Sequence, residues 1–394
     1  MPRVNESPTP SCSPSDPARA TGFNWVGQGR RAAPMAAAEQ LLRQALRRDD
    51  SDGGLRLRLG GLLYDQSRFD EALTTLGPLS DAGDAAALRL AGLCLLAKGD
   101  FAVARPALAA ALGAGVRSAR SALAAAIAGL EGPDAAASLC RQALRASPDD
   151  AQALDLEARR HMAAGRPDRL VRLCLALQRR GGRSAAIQAL LLRARAAQGD
   201  DDAVRERLDD ERLLSVTALA GADNTALASE ILGHVNRVAP HRSYATKGGR
   251  RVDDPLTPDS PSLLALAARI RSGLDLYLAR LAADRQGTLA GYGGEPVMLK
   301  LWALVMDEGA FEDWHLHPSG LVSGVYYVQG SDGGGLLEFG LVPIGEEPSP
   351  PQGRRLVTPQ PGCLVMFPSS FAHRTTPVRG RQPRISVAFD VVRA

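Results

Sequence analysis

The chain has 394 residues, of which 45% are hydrophobic, 4% aromatic and 23% charged, with a formal net charge of +4. That length exceeds one ordinary domain and predicts two folded units with linkers. The small positive excess is spread over many arginines, without a block of like charge or a basic stripe interleaved with aromatics, so nucleic acid is excluded as an expected partner.

Residues 1–34 are rich in Ser, Pro, Arg and Gly, lack periodicity and are expected to be disordered. They hold no compact apolar segment of the secretory kind. Met35 opens the first periodic stretch and is an alternative translation start to Met1.

From 35 to 210 apolar residues recur at helical spacing, with a longer period on top. Phe69 and Ala72 in Gln-Ser-Arg-Phe-Asp-Glu-Ala return 32 residues later as Phe101 and Ala104, and Gly60 and Gly92 keep the same interval. Gly165 is followed by Gly199 after 34 residues, and Arg-Ala-Ser-Pro-Asp-Asp around Pro148 has the composition of a turn that closes a repeat. Helical pairs at this period resemble the tetratricopeptide repeat. Roughly five degenerate copies are enough to stack into a curved solenoid. The alternative is an irregular helical domain without a groove. The five cysteines stand at 12, 94, 140, 174 and 363 without a Cys-x-x-Cys pair. This usage excludes a disulfide scaffold or structural zinc site and predicts a reducing, cytoplasmic setting. Cys94, Cys140, Cys174 and His161 are expected to be packing residues on these helices.

The helical pattern breaks between 211 and 262. Asn236 to Asp254 reads as a turn-rich polar segment, His234 and His241 as surface residues. Asp259-Ser260-Pro261 starts a helix carrying Leu263, Leu264, Leu266, Ile270, Leu274, Leu276, Tyr277 and Leu278, placed to back a sheet. No apolar run reaches the ~18 residues of a membrane span.

After 287 the period becomes two. Val297–Met306, Leu321–Val328, Leu336–Leu341, Arg355–Val357, Cys363–Phe367 and Arg384–Val392 are predicted strands separated by Gly, Pro, Asp and Ser turns. Many short strands in this order fit a double-sheet jelly roll.

The chemistry sits in this last part. Trp314 to Val328 reads Trp-His-Leu-His-Pro-Ser-Gly-Leu-Val-Ser-Gly-Val-Tyr-Tyr-Val, which places His315 and His317 at i and i+2, on one face of an extended strand and within reach of one metal ion. Gly-Cys-Leu-Val-Met-Phe-Pro-Ser-Ser-Phe-Ala-His supplies His373, and Pro-Arg-Ile-Ser supplies Arg384 and Ser386 on one strand face. A mononuclear iron oxygenase holds its metal through three protein ligands and leaves the other positions for co-substrate and dioxygen. With His317 where the usual pattern has Asp, the site has three imidazoles, or two and a water. Asp313, Glu312, Asp307 and Glu338 are near enough in sequence to be partners of the ligands. Arg384 and Ser386 can clamp a carboxylate, with the Tyr327 phenol as a third donor. Tyr327 reads equally as a core aromatic, and Cys363 as inert packing.

Taken together, these motifs resemble the 2-oxoglutarate-Fe(II) oxygenase family related to prolyl hydroxylases, whose members often carry tetratricopeptide repeats ahead of the catalytic domain. Ala-Thr-Lys-Gly-Gly upstream looks like the opening segment of that family, so the resemblance covers 211–394. It implies an α+β multidomain chain: an all-α tetratricopeptide-like solenoid over 35–210, then a double-stranded β-helix (jelly roll) over 211–394. It implies Fe(II) bound by His315, His317 and His373, and 2-oxoglutarate held at Arg384. The expected reaction is hydroxylation of a C–H bond, on a protein side chain or peptide recruited by the repeats, with no membrane partner. Two rivals stay open. One is a cupin-type metalloenzyme without 2-oxoglutarate, which has no need of Arg384; the other is a non-catalytic repeat scaffold with a degenerate jelly roll.

Overall fold

The computed structural model describes residues 23–26, 35–208, 212–235, 245–281, 292, 294–341 and 352–394. After a short strand β1 (Asn24–Trp25), helices α1 (Met35–Arg48), α2 (Gly53–Asp65), α3 (Phe69–Asp81), α4 (Ala85–Lys98), α5 (Phe101–Gly113) and α6 (Ala119–Glu131) follow one another. They continue through α7 (Pro133–Ala146), α8 (Ala151–Ala163), α9 (Pro167–Arg179), α10 (Ala185–Ala196) and α11 (Asp201–Leu208). Asp52, Asp84 and Asp150 cap α2, α4 and α8 by accepting the amide three residues on, and Gly99 ends α4 in the left-handed region at φ 82°.

The repeat comes from one recurring contact. A Cβ on Gly60 would lie 2.6 Å from Leu76, and one on Gly92 2.5 Å from Leu108, so only glycine lets α2 meet α3 and α4 meet α5 this closely. Sixteen residues separate the partners each time, and the same two places are held further on by Ala124 with Cys140 and by Ala158 with Cys174. All four are at most 1% exposed within one core cluster. Where the small partner gains a methyl the large one shrinks from Leu to Cys, which conserves volume. This explains two of the cysteines as packing; burial pushes the Cys140 thiol up to about 11 and Cys174 up to about 12.

The remaining elements are β2 (Ser215–Ala218), α12 (Asn224–Val235), β3 (Thr246–Lys247), β4 (Arg250–Asp253), α13 (Pro261–Leu281), β5 (Pro296–Met306), β6 (Phe311–His315) and β7 (Gly320–Gln329). Then come β8 (Gly333–Gly334), β9 (Leu337–Leu341), β10 (Gln352–Val357), β11 (Cys363–Pro368), β12 (His373–Thr375), β13 (Val378–Arg379) and β14 (Arg384–Arg393). One sheet runs β1-β5-β14-β7-β11-β2 with β4 also on β5, and the facing sheet runs β10-β9-β12-β6-β3. Two such sheets with the cavity between them form the jelly roll.

Helix α13 backs the large sheet through Leu263, Leu266, Ile270, Leu274 and Tyr277, each at most 1% exposed. Leu264 and Leu276, expected on that face, point to solvent at 38% and 71% exposure. The polar segment expected as a turn holds two short strands from 246 onward, β3 on β6 in the small sheet and β4 on β5 in the large one, with Gly248 at φ 71° between them. His241 and Cys12 lie outside the described residues. His234 is half-buried and hydrogen-bonds Ser260 at 2.8 Å, so it belongs to the foot of α13 rather than the surface.

The expected disorder of 1–34 needs correction at residues 23–26. Asn24 and Trp25 pair in parallel with Pro296 and Val297, and Asp275 accepts hydrogen bonds from the Phe23 amide at 3.0 Å and the Trp25 indole at 3.2 Å. An apolar Phe-Asn-Trp in a polar stretch finds its partners some 250–270 residues away, where local pattern gives no sign of them. The repeats are also fused to the jelly roll. Leu192, Ala196 and Val204 of α10 and α11 join the core of the jelly roll, and the Ala185 amide donates to the Pro318 carbonyl at 3.2 Å. Among the described residues no helix is long and apolar enough to cross a membrane.

Candidate metal centre and co-substrate pocket

His315 ends β6 and His373 begins β12, and the two are directly paired across the small sheet. His317 lies just beyond β6, off the strand that was expected to carry both histidines. Its main chain is held instead by a hydrogen bond from the His317 amide to the Ser369 carbonyl at 3.2 Å. One ligand atom of each histidine lies within 4.8 Å of the other two.

The protons on these rings follow from their partners. Nδ1 of His315 meets the Asp313 carbonyl at 2.7 Å, Nδ1 of His373 the Phe371 carbonyl at 2.9 Å and Nδ1 of His317 the Asp390 carboxylate at 2.9 Å. Each partner is an acceptor, so each Nδ1 carries a hydrogen, and Nε2 is the nitrogen left on each ring for a metal. Burial, followed for His373 by the neighbouring imidazoles, holds the His373 pKa well below 6.5, and burial lowers that of His315. Neutral rings with free Nε2 atoms are what a divalent metal requires. The residues present therefore fit the metal.

A narrow cavity opens on the three histidines and runs between the sheets to Arg384 and Ser386. Trp302, Leu304, Val325, Leu337 and Phe367 make its walls apolar. Strand β14 supplies the floor: Arg384, Ser386, Ala388 and Asp390 stand at alternate positions and share one face. Arg384 is 2% exposed. Its Nη1 reaches the Met306 sulfur at 2.9 Å and the Thr375 hydroxyl at 3.5 Å, its guanidinium carbon lies 5.0 Å over the Tyr327 ring, and it makes no ion pair with a described carboxylate. Nε of Arg384, Oγ of Ser386 and the Tyr327 hydroxyl are buried without a well-formed hydrogen bond. A buried cation beside further unsatisfied donors is costly unless an anion joins them. The expected clamp residues are thus brought together, although Tyr327 lies behind Arg384 rather than on the cavity wall. Burial raises the Tyr327 pKa, so the phenol keeps its proton and can donate.

Of the acidic neighbours expected around the ligands, Glu312 lines the cavity between the Thr246 and Thr375 hydroxyls, each at 3.3 Å. Asp313 contributes through its carbonyl. Asp307 pairs with Arg250 and Glu338 with Arg374, away from the histidines. The carboxylate that does touch a ligand, Asp390, was not singled out from the sequence. Its signal was there: an acid within the apolar run Val-Ala-Phe-Asp-Val-Val, in phase with Arg384 and Ser386.

A jelly roll with a three-histidine centre, a buried anion clamp and a fused helical solenoid defines the class, and the comparisons agree. The family described as "Putative 2OG-Fe(II) oxygenase" matches residues 300–390, and two tetratricopeptide-repeat families match 35–94 and 90–151. Residues 300–390 thus carry a 2OG-Fe(II) oxygenase domain that follows tetratricopeptide repeats. Among solved structures it is similar to a prolyl-4-hydroxylase from Pseudomonas putida, at 21% identity over 48% of this chain and 98% of that one, TM-score 0.35. HygX from Streptomyces hygroscopicus, with nickel and 2-oxoglutarate bound, matches at 15% identity over 48% and 87%, TM-score 0.35. The tetratricopeptide protein YrrB matches at 19% identity over 43% and 90%, TM-score 0.34. A search of curated proteins finds no match.

Proposed function

We propose that this oxygenase hydroxylates a C–H bond of a polypeptide held on its repeats, converting dioxygen and 2-oxoglutarate to succinate and carbon dioxide as one oxygen atom enters the substrate. The observation that carries the co-substrate role is Arg384, a guanidinium 2% exposed at the inner end of the cavity without a carboxylate partner among the described residues. Its Nε and Nη protons, with the Ser386 hydroxyl, suit the distal carboxylate of 2-oxoglutarate, and Tyr327 backs the guanidinium from behind. His315, His317 and His373 would hold the metal through Nε2. Fe(II), when bound there, supplies the activation of dioxygen coupled to decarboxylation of 2-oxoglutarate. The apolar walls around Leu304 and Phe367 exclude water, which strengthens the Arg384 clamp.

The polypeptide substrate is supported by the way the repeats meet the site. Ala185, at the start of α10, bonds the carbonyl of Pro318, the residue after His317. Even-numbered helices also touch one another in succession, from α2 to α10, and so form a continuous face along the solenoid. The test is succinate release from 2-oxoglutarate by the iron-loaded protein, with and without peptides captured on the repeats. Peptide-stimulated succinate with a mass gain of one oxygen on the peptide is expected; 2-oxoglutarate left unconsumed by iron-loaded protein under all conditions contradicts the reading.

A further inference from the structure

We infer that Asp390 is a positioning residue that gives the metal centre its negative charge through His317, in place of the carboxylate that the usual His-x-Asp pattern has at that position. The inference rests on the assignment of the three histidines as ligands. What sets His317 apart is its acceptor. His315 and His373 each donate to the carbonyl two residues upstream, whereas His317 donates to a carboxylate 73 residues away.

That carboxylate is fixed on both oxygens. Oδ2 takes the His317 proton at 2.9 Å, and Oδ1 takes the Ser323 hydroxyl at 2.6 Å. Ser323 has spent its only proton there, so the 2.7 Å contact with Ser369 Oγ makes Ser369 the donor to Ser323. The Ser369 carbonyl accepts the His317 amide, which closes a ring of hydrogen bonds that begins and ends on His317. Both serines are at most 1% exposed, and Ser323 sits directly opposite Asp390 in the β7–β14 register, so the sheet itself aims the carboxylate. Trp302 stacks on the His317 ring at 5.7 Å and shields the ring from water.

An imidazole bonded to a carboxylate is a stronger donor than one bonded to a carbonyl. The charge absent from the ligand set is then one hydrogen bond behind it. Asp390→Asn keeps an acceptor for His317 but removes the charge, so it separates charge from orientation.

The test is titration of the full-length metal-free protein with Co(II), reading both affinity and the visible ligand-field bands, with melting temperature as the check on folding. Asp390→Asn is expected to weaken Co(II) binding about 10-fold and shift the bands, and Asp390→Ala about 100-fold. Asp390→Glu, which keeps the charge, is expected to bind more tightly than Asp390→Asn. Ser323→Ala, which frees one carboxylate oxygen and leaves the charge, gives a smaller loss in the same direction and serves if the Asp390 variants do not fold. Wild-type affinity and spectrum in Asp390→Asn, or in Ser323→Ala where the former does not fold, overturn the proposal alone. Failure of the wild type to bind Co(II) overturns it together with the ligand assignment.

Discussion

The guanidinium of Arg384 rests with its central carbon 5.0 Å above the ring of Tyr327, an aromatic face that offsets part of the cost of burying its charge. Removing that charge should therefore act in opposite directions on stability and on co-substrate binding. We expect Arg384→Met to leave the melting temperature of the ligand-free protein equal or higher, because an apolar side chain of similar length replaces a buried, incompletely paired cation. The same variant should lose the stabilisation that 2-oxoglutarate confers on the wild type, with affinity falling at least about 100-fold, the equivalent of ~3 kcal/mol. Melting curves with and without 2-oxoglutarate read both effects. A destabilised variant that still binds 2-oxoglutarate would show Arg384 to be structural.

The metal-free protein should lose stability in mild acid. The folded-state pKa of His373 lies well below its ordinary 6.5 and that of His315 is also lowered, so the unfolded chain takes up these protons first as pH falls. Stability contributed by the neutral rings is present above about pH 6.5 and drains away below it. Melting temperature measured from pH 7.5 to 5.5 should fall, and His373→Gln should flatten the curve. An unchanged slope in that variant contradicts the assignment.

Much of this site could be read from the chain because its groups obey short-range rules. Arg384, Ser386 and Asp390 share a strand face by period two, and His315 and His317 are two residues apart; the pairing of β6 with β12, which brings His373 opposite His315, and the meeting of His317 with Asp390 are long-range. The phase of Asp390 with Arg384 and Ser386 was local and legible, but its partner His317 lies 73 residues away, and no local pattern announces that meeting. The docking of Phe23–Trp25 was hidden for the same reason, since a two-residue strand has no periodicity to detect. The repeat was legible because Phe69 and Ala72 return as Phe101 and Ala104 and Gly60 as Gly92, whereas the later Ala and Cys pairs keep the volume and lose the letters.

That conserved volume can be tested. Gly92→Ala puts a Cβ 2.5 Å from the Leu108 side chain. We expect a loss of about 1–3 kcal/mol by overpacking, despite alanine's better helix propensity. Adding Leu108→Cys recreates the Ala124 with Cys140 combination and should recover part of the loss, so the two changes together cost less than their sum. Urea denaturation of the three variants supplies the cycle, and strict additivity counts against a shared contact.

Asp275 anchors the N-terminal strand through the Phe23 amide and the Trp25 indole. Asp275→Ala should cost about 1–3 kcal/mol and free the strand locally. Hydrogen exchange at the Val26 amide, which is bonded to the Val297 carbonyl, should speed up while β14 stays protected. Unaltered exchange at Val26 would mean the backbone pairing holds alone.

The most direct test of the oxygenase site is anaerobic addition of Fe(II) and 2-oxoglutarate to the metal-free protein, followed by optical absorption. A metal-to-ligand charge-transfer band that needs both additions, is absent in His315→Ala and is weakened in Arg384→Met is the result we expect. Iron bound without such a band at saturating 2-oxoglutarate, or no iron bound at all, would contradict it.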